Sequence, residues 1–540
     1  MDKDLSERTD VADVTADVIV VGFGAAGACT AIEAREAGAD VLVLDRFAGG
    51  GASAMSGGVV YAGGGTAVQE AAGVHDTPEA MRDYLRQEVG DAVSEETLRR
   101  FSAGSVDMIA WLAERGVPFE PSLCPYKTSY PTNRHYLYAS GSELSFRDVA
   151  PPAARGHRTR GHGTSGKLFY ARLAAAARER GVRVLTQTSA VRVLTDGTGR
   201  VTGVEASTLR DAPAWARLAH RVLHRYSVKP GLYVPALGRL LHKRVASIER
   251  RYARPIRVSA TRGVVLAAGG FVFNRAMLRE HAPLYRGGLP LGTPGDDGSG
   301  IRLGVDAGAA TARLDRLTIW RFITPPAALL HGVLVDRAGR RICDESRYGA
   351  TIGDAVLHSD GAKAWLLVDS TVLAEARRQI RAQTLWFQRL QAWSLLSVDR
   401  VSAPTLSAVA AKVGVDADAL ALTVKAYNGA AAAGEPDPAG KAPEFVRALE
   451  HPPYSLIDCS IRNRMAQPAP MLTLGGLMVD EETGQVRRAD GTVIRGLYAA
   501  GRNAVGVCSN SYVSGLSLAD CVFSGRRAGR QLGAPDAHGH

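Results

Sequence analysis

Several features are scarce or missing in these 540 residues, and each absence removes a class of protein. The six cysteines (Cys29, Cys124, Cys343, Cys459, Cys508, Cys521) are scattered, with no C-x-x-C pair. Neither a zinc ribbon nor a disulfide framework is expected, and reduced thiols suit a cytoplasmic chain. No apolar run reaches the roughly 18 residues that a spanning helix needs. The start, Met1-Asp2-Lys3-Asp4-Leu5-Ser6-Glu7, is polar and acidic, unlike a secretory signal. His157 and His162 lie among Arg and Gly without carboxylate partners at ligand spacing; they read as loop anchors, and no metal site is expected. No nucleic-acid-binding motif is present. What remains is ordinary globular composition, 46% hydrophobic and 22% charged, in a chain long enough for two sizeable cores.

The most informative stretch runs from Ala16 to Asp45. Asp17-Val18-Ile19-Val20-Val21 has strand length, Gly22-Phe23-Gly24-Ala25-Ala26-Gly27 follows at once, and Ala28 to Ala37 is rich in helix formers. Val41 to Leu44 is a second apolar strand, ending in Asp45. This is the strand, glycine turn, helix, strand and acid of a dinucleotide site. Gly22 permits the turn, Gly24 lets backbone approach a pyrophosphate, and Gly27 lets helix pack on strand. The helix N-terminus offers free N–H groups to phosphate. Asp45, roughly 20 residues on, can accept from a ribose hydroxyl. The loop Gly49 to Gly58, with Ser53 and Ser56, can lay N–H groups and hydroxyls against the same ligand. A second strand-flanked G-x-G-x-x-G is missing, which argues against an additional NAD(P)H site.

Thr77 to about Gly116 has apolar faces at helical spacing. Pro118 to Phe146 reads as loop, with Tyr126, Tyr130, Tyr136 and Tyr138 as pocket or packing residues. Short strands are expected at Val182–Thr188, Ala190–Leu194, Arg200–Ser207, Ile256–Ala260 and Gly263–Ala268. Between the last three lies Leu209 to Arg254, where a hairpin turn would do. This insert has eleven basic residues against the acids Asp211 and Glu249, +9 of the chain's +11. Trp215, Leu218, Val222 and Tyr226 share one helical face, and Arg217, Arg221 and Arg225 another. After Pro230-Gly231, Leu237, Leu240, Leu241, Val245 and Ile248 repeat the pattern. An anionic membrane surface, a packed hairpin with a basic rim, and docking of a protein or nucleic acid are all open readings. Val333 to Ile342 looks like a hairpin through Gly339, Thr371 to Arg400 and Leu406 to Ala431 are mainly helical, and glycine turns return from Thr473 onward.

Taken in order, DVIVVGFGAAG, GGGASAMSGG, LAAGGF (Leu266 to Phe271), TPGDDGSG, TLGGLMVD and GLYAAGRNAVG resemble the FAD-dependent fumarate-reductase/3-ketosteroid-dehydrogenase superfamily. The resemblance implies an α/β fold: a Rossmann-like FAD-binding domain from both chain ends (1–300, containing the insert 209–254, and 461–540), with an α+β catalytic, capping domain (301–460) inserted. Non-covalent FAD is expected, since the 49–58 loop has no His to form a histidyl–flavin bond. Cofactor contacts fall on Gly22, Gly24, Ala25, Ala26, Gly27, Asp45, Arg46, Ser53, Ser56, Gly57, Gly58, Ala268, Gly269, Asp297, Gly501, Asn503, Ser517 and Leu518.

Dicarboxylate reductases of this group need arginines for two carboxylates. The comparable stretch here, Ile323 to His331, is apolar and lacks Arg. The Δ1-type YPGPG-like motif is also absent. Asn510 to Leu518 is instead similar to the Δ4-(5α)-type 3-ketosteroid dehydrogenases, which places the catalytic tyrosine and serine at Tyr512 and Ser514 and a second tyrosine at Tyr348. The resemblance implies hydride transfer from the β-carbon to flavin N5, with Tyr512 holding the ketone oxygen and the α-proton passing to Ser514 and Tyr348. The expected partners are a steroid, an anionic membrane surface through 209–254 and an unidentified electron acceptor such as a quinone. The expected location is cytoplasmic, peripheral on the inner face of the membrane. The alternatives are a reductase of a small unsaturated acid and a membrane-associated electron-transfer flavoprotein.

Overall fold

The computed structural model describes residues 13–462 and 467–534; the N-terminal Met1 to Glu7 lies outside them. A mixed, largely parallel sheet carries the glycine turn. Its first strands, β1 (Asp13–Val21) and β2 (Val41–Asp45), pair in parallel, Val18 facing Val41 and Val21 facing Leu44. Val18–Val21 and Val41–Leu44 are apolar and buried on both faces because helices or further strands cover each side. Helix α1 (Ala25–Glu36) joins them and is buried along almost its whole length.

Three more strands complete the part of the sheet that positions the site. Strands β3 (Val201–Thr208) and β4 (Arg254–Leu266) pair antiparallel, and β4 pairs in parallel with β1. The two strands expected at 256–260 and 263–268 are one continuous strand, which changes register against β1 between Ala16 and Val18. From the other end of the chain, β5 (Val493–Ala499) adds in parallel to the outer side of β4, Leu497 opposite Val264.

The last helix, α6 (Leu516–Gly533), packs along α1. The fit depends on small residues: a Cβ at Gly525 would stand 2.5 Å from the Ala26 carbonyl oxygen, and one at Gly529 2.5 Å from that of Thr30. Both chain ends therefore build one body around the glycine turn.

A second core is built mainly from residues of 301–460 and also takes in Val272, Tyr285 and Met471 from outside them. Strands Val333–Val335, Trp365–Val368, Tyr454–Asp458 and Arg400–Ala403 form an antiparallel sheet in that spatial order. The hairpin at Gly339 is present, Asp336 N–H donating to the Arg340 carbonyl.

The basic insert is a helical hairpin of α2 (Ala214–Tyr233) and α3 (Pro235–Tyr252), bridging β3 to β4. The turn falls at Val234, not at Pro230-Gly231. Gly231 and Gly238 let the helices approach where a Cβ on either would stand 2.8 Å from the other's Cα.

The hairpin's orientation reverses the usual rule. Ala216 and His220 of α2 and Val245 of α3 are buried, whereas Trp215, Leu218, Val222 and Tyr226 are exposed. Leu237 and Leu240 are exposed too. The Lys229 side chain lies outside the described set. Among the described residues, no helix is long and apolar enough to cross a membrane.

Candidate active site

One elongated cavity of 1110 Å³ runs from the glycine turn to the second core. At one end Gly22 takes φ +104°, and a Cβ there would lie 2.5 Å from the Ala267 carbonyl oxygen, so only glycine fits this turn. Helix α1 then starts at Gly24 with no side-chain cap and no acid in its first turn. Ser53 Oγ accepts the Ala25 N–H at 3.0 Å, and the neighbouring N–H groups face the cavity as an anion seat. Gly27 does not line the cavity. It lies under the turn, where a Cβ would meet the Gly22 carbonyl oxygen at 1.9 Å.

Asp45 is committed to backbone more than the fingerprint suggests. It accepts N–H bonds from Phe23 (2.9 Å), Phe47 (2.8 Å) and Gly49 (3.1 Å), bracing the glycine turn and the following loop. Burial pushes its carboxyl upward against those three donors, which favour the anion. Its rim is open to the cavity.

Arg46 forms a two-pronged ion pair with Glu249 of α3 (2.9 and 2.8 Å) and a third bond to Asp297 (2.9 Å). Burial opposes the charge on Glu249, but hydrogen bonds from His220 and Arg46 hold its pKa at about 2. Phe47 stacks on His224 at 3.5 Å between centroids. The insert thus seals the dinucleotide end with its polar and histidine side.

The other expected contacts divide. Ser53, Ser56, Gly57, Ala268, Gly269, Gly501, Ser517 and Leu518 line the cavity together with Gly22, Gly24, Ala25, Ala26, Asp45 and Arg46. Gly58, Asp297 and Asn503 do not. Gly58 turns at φ +67° against the Ser165 backbone, and Asn503 accepts the Ala268 N–H at 3.1 Å. Asp297 is turned to Arg46 and the Ser299 N–H; its neighbour Asp296 faces the cavity and pairs with Arg502 at 2.6 Å. In a D-D pair on a turn, the sequence does not say which acid points inward.

At the opposite end Tyr512, Tyr348, Trp320 and Phe322 form an aromatic wall. Tyr512 meets Trp320 edge-on at 5.0 Å and Tyr348 at 6.3 Å; Phe322 lies 5.9 Å from Tyr348. Ser514 is buried beside them, and its Oγ shares a hydrogen bond with Tyr138 at 2.9 Å. Ser514 is fixed through its backbone as well, giving its N–H to the Ser140 carbonyl and accepting from Ser140 Oγ. Burial raises the phenols of Tyr512, Tyr348 and Tyr138, so all three are protonated donors at neutral pH.

The tyrosine-rich loop separates by role. Tyr138 holds the serine, Tyr130 lines the cavity and donates to the Gly57 carbonyl at 2.7 Å, and Tyr136 donates to the Gly161 carbonyl. His157 is a buried anchor between Thr66 and the Arg155 carbonyl, its pKa lowered by burial to about 4.

Thr324 and Pro325 of the apolar stretch line this end. Two cations from outside that stretch, Arg321 and Arg502, also do, but each is engaged, Arg321 with the Ser460 carbonyl at 2.6 Å and Arg502 with Asp296. Helix α6 begins beside the wall at Gly515 (φ +96°), again without a cap or a first-turn acid. Two uncapped helix starts, one at each stretch of the cavity, with buried Arg502 Nη1 lacking a hydrogen-bond partner, fit a long anionic cofactor.

The comparisons agree with that geometry. The family described as FAD binding domain matches residues 17–518. A 3-oxo-5-alpha-steroid 4-dehydrogenase of Comamonas testosteroni is 39% identical over 500 residues, 90% of this chain and 92% of its own length. The crystal structure of 3-ketosteroid-delta4-(5alpha)-dehydrogenase from Rhodococcus jostii RHA1, in complex with 4-androstene-3,17-dione, has a TM-score of 0.81 at 32% identity, covering 98% of this chain and 99% of that one. A flavocytochrome c3 fumarate reductase shares the fold, with a TM-score of 0.61 at 23% identity over 96% of this chain and 78% of that one. The glycine turn, the uncapped helices and these matches together place the chain in the FAD-binding-domain family of oxidoreductases.

Proposed function

We propose that this flavoprotein introduces the double bond beside the keto group of a 5α-3-ketosteroid, between the α- and β-carbons of the Δ4 position. The observation that carries the reading is the convergence of Tyr512, Ser514 and Tyr348 on an aromatic-walled cavity end. The 39% identical relative named for this reaction supports it. In this reading residues 1–300 and 461–540 are the Rossmann-like FAD-binding domain and 301–460 the cap; β5 beside β4 supports that division.

FAD, when bound, supplies the hydride acceptor. The chain's residues do the rest. Tyr512, kept neutral by burial, donates to the ketone oxygen and acidifies the α-hydrogen. Ser514 Oγ, hydrogen-bonded to Tyr138, receives the α-proton as its own passes to Tyr348, which is the terminal acceptor in the fraction of molecules whose Tyr348 phenol has ionised. The aromatic wall excludes water and orients the rings.

Competition assays with an artificial acceptor separate the readings. Turnover of 5α-3-ketosteroids without turnover of succinate supports this one; the reverse supports a small-acid reductase.

The exposed Trp215, Leu218 and Val222 beside exposed Arg217, Arg221 and Arg225 support contact of the insert with an anionic membrane surface. A membrane quinone as acceptor, and a peripheral cytoplasmic location, follow from that contact. Flavin reoxidation by a quinone analogue but not by NAD+ or NADP+ is the expected outcome.

A further inference from the structure

Helix α5 (Trp386–Ser397), which follows helix α4 (Ser370–Gln383), has a mixed inner face and an apolar outer one. Phe387, Gln388, Gln391, Ala392 and Leu395 line the cavity. On the opposite side Trp386, Leu390 and Trp393, at offsets 0, 4 and 7, fall within about 60° of one another on the helix wheel. They are 76, 67 and 57% exposed. Val398, at the helix end, is 68% exposed. The wall of the cavity is thus one helix thick here, and its outer side is a tryptophan-leucine stripe that the described residues leave exposed.

Positive charge predominates in the segment that carries the stripe. Arg377, Arg378 and Arg381 of α4 and Arg389 of α5 are exposed. The acids of the segment 370–399 are Glu375 and Asp399. Glu375 is paired with Arg447 at 2.9 Å, and Asp399 accepts from Ser394 Oγ and from Gln467. Tryptophan prefers the headgroup level of a bilayer, where its ring is sheltered and its N–H wet. Arginine beside it favours anionic lipid.

We propose that α5 is the membrane-facing wall of the cavity: Trp386, Leu390 and Trp393 insert into the interface of an anionic bilayer, and the apolar substrate enters from the lipid past this helix. The inference rests on the apolar-substrate reading above for its purpose, but the contact itself does not require turnover.

The test uses the FAD-loaded full chain with Trp215→Phe, which silences the insert's exposed indole. Vesicles of phosphatidylcholine with 30% phosphatidylglycerol carry brominated acyl chains. The expected result is quenching of tryptophan fluorescence and flotation with these vesicles. Both fall at least fivefold in Trp386→Ser/Leu390→Ser/Trp393→Ser, and flotation falls at least threefold on pure phosphatidylcholine. Turnover of cyclodextrin-delivered steroid stays within twofold, because none of the three side chains lines the cavity, while turnover of vesicle-loaded steroid falls.

Should the triple variant lose its flavin, Leu390→Asp takes its place in every arm. Equal quenching and flotation for parent and variant overturn the proposal. So does sedimentation showing a dimer that the variant dissolves, or a loss of rate only with a protein electron acceptor, since the stripe is then a protein interface. A parent that turns over no steroid in cyclodextrin sinks the catalytic reading and leaves the quenching result to stand or fall separately.

Discussion

Removing one oxygen, in Tyr512→Phe, isolates the polarising step. The ring keeps its edge-on contact with Trp320 at 5.0 Å and its place beside Tyr348, so packing is retained. The phenol is a neutral donor because burial raises its pKa, and its hydrogen bond is free to strengthen as charge builds on the ketone oxygen. Losing one such donor costs about 3–4 kcal/mol of transition-state stabilisation, or about 10²–10³ in the rate of flavin reduction. Substrate binding, governed by the apolar wall, changes by less than about tenfold, since a ground-state hydrogen bond contributes only about 0.5–1.5 kcal/mol. Anaerobic stopped-flow reduction by a saturated 5α-3-ketosteroid reads both quantities, the limiting rate and the half-saturating concentration. The flavin spectrum of the variant should match the parent's. A limiting rate within fivefold of the parent's refutes the role assigned to Tyr512 and favours an electron-transfer flavoprotein whose tyrosine is only packing.

Tyr348 and Tyr512 both titrate far above neutrality, so a relay that needs a phenol to give up its proton gains speed as pH rises; kcat/KM should climb through pH 9 without a plateau, and Tyr348→Phe should flatten the profile. Tyr138→Phe removes the 2.9 Å partner of Ser514 and should lower the limiting rate about tenfold with little change in half-saturation; an unchanged rate removes Tyr138 from the account. Gly22→Ala forces a side chain to φ +104° and into the Ala267 carbonyl, which should cost at least about 2 kcal/mol and most of the bound flavin, read by thermal melting and by absorbance. Trp215→Ser/Leu218→Ser/Val222→Ser should reduce flotation with anionic vesicles while leaving the flavin bound, because these side chains face away from the cavity; equal flotation contradicts the membrane role of the insert.

The dinucleotide end was readable because its chemistry is local. Strand, Gly22, Gly24, Gly27 and helix are contiguous, and the turn has the conformation those glycines imply. Closure by the distant end was readable only through the resemblance, since nothing in Leu497 itself announces a partner in Val264. Side-chain direction on loops and hairpins was not readable. Asp296 and Asp297 are chemically alike, and only the tertiary positions of Arg502 and Arg46 decide which faces the cavity. Amphipathic spacing located two faces on α2 but could not say that the tryptophan face points outward, because His220, His224 and Glu249 bury a polar side instead. Helix α5 has large apolar residues on both its inner and outer sides, with Gln388 and Gln391 among the inner ones, so periodicity could not separate the cavity wall from the outer stripe. Ser514 was legible in sequence, whereas its partner Tyr138 stood 376 positions away.

The central claim, that a bound flavin takes hydride from a ketosteroid held by Tyr512, meets its most direct test in anaerobic titration of the purified yellow protein. Saturated 5α-3-ketosteroids should bleach the flavin stoichiometrically, and succinate should not. A colourless protein that takes up no FAD, or a flavin bleached by succinate and indifferent to every 3-ketosteroid, would contradict it.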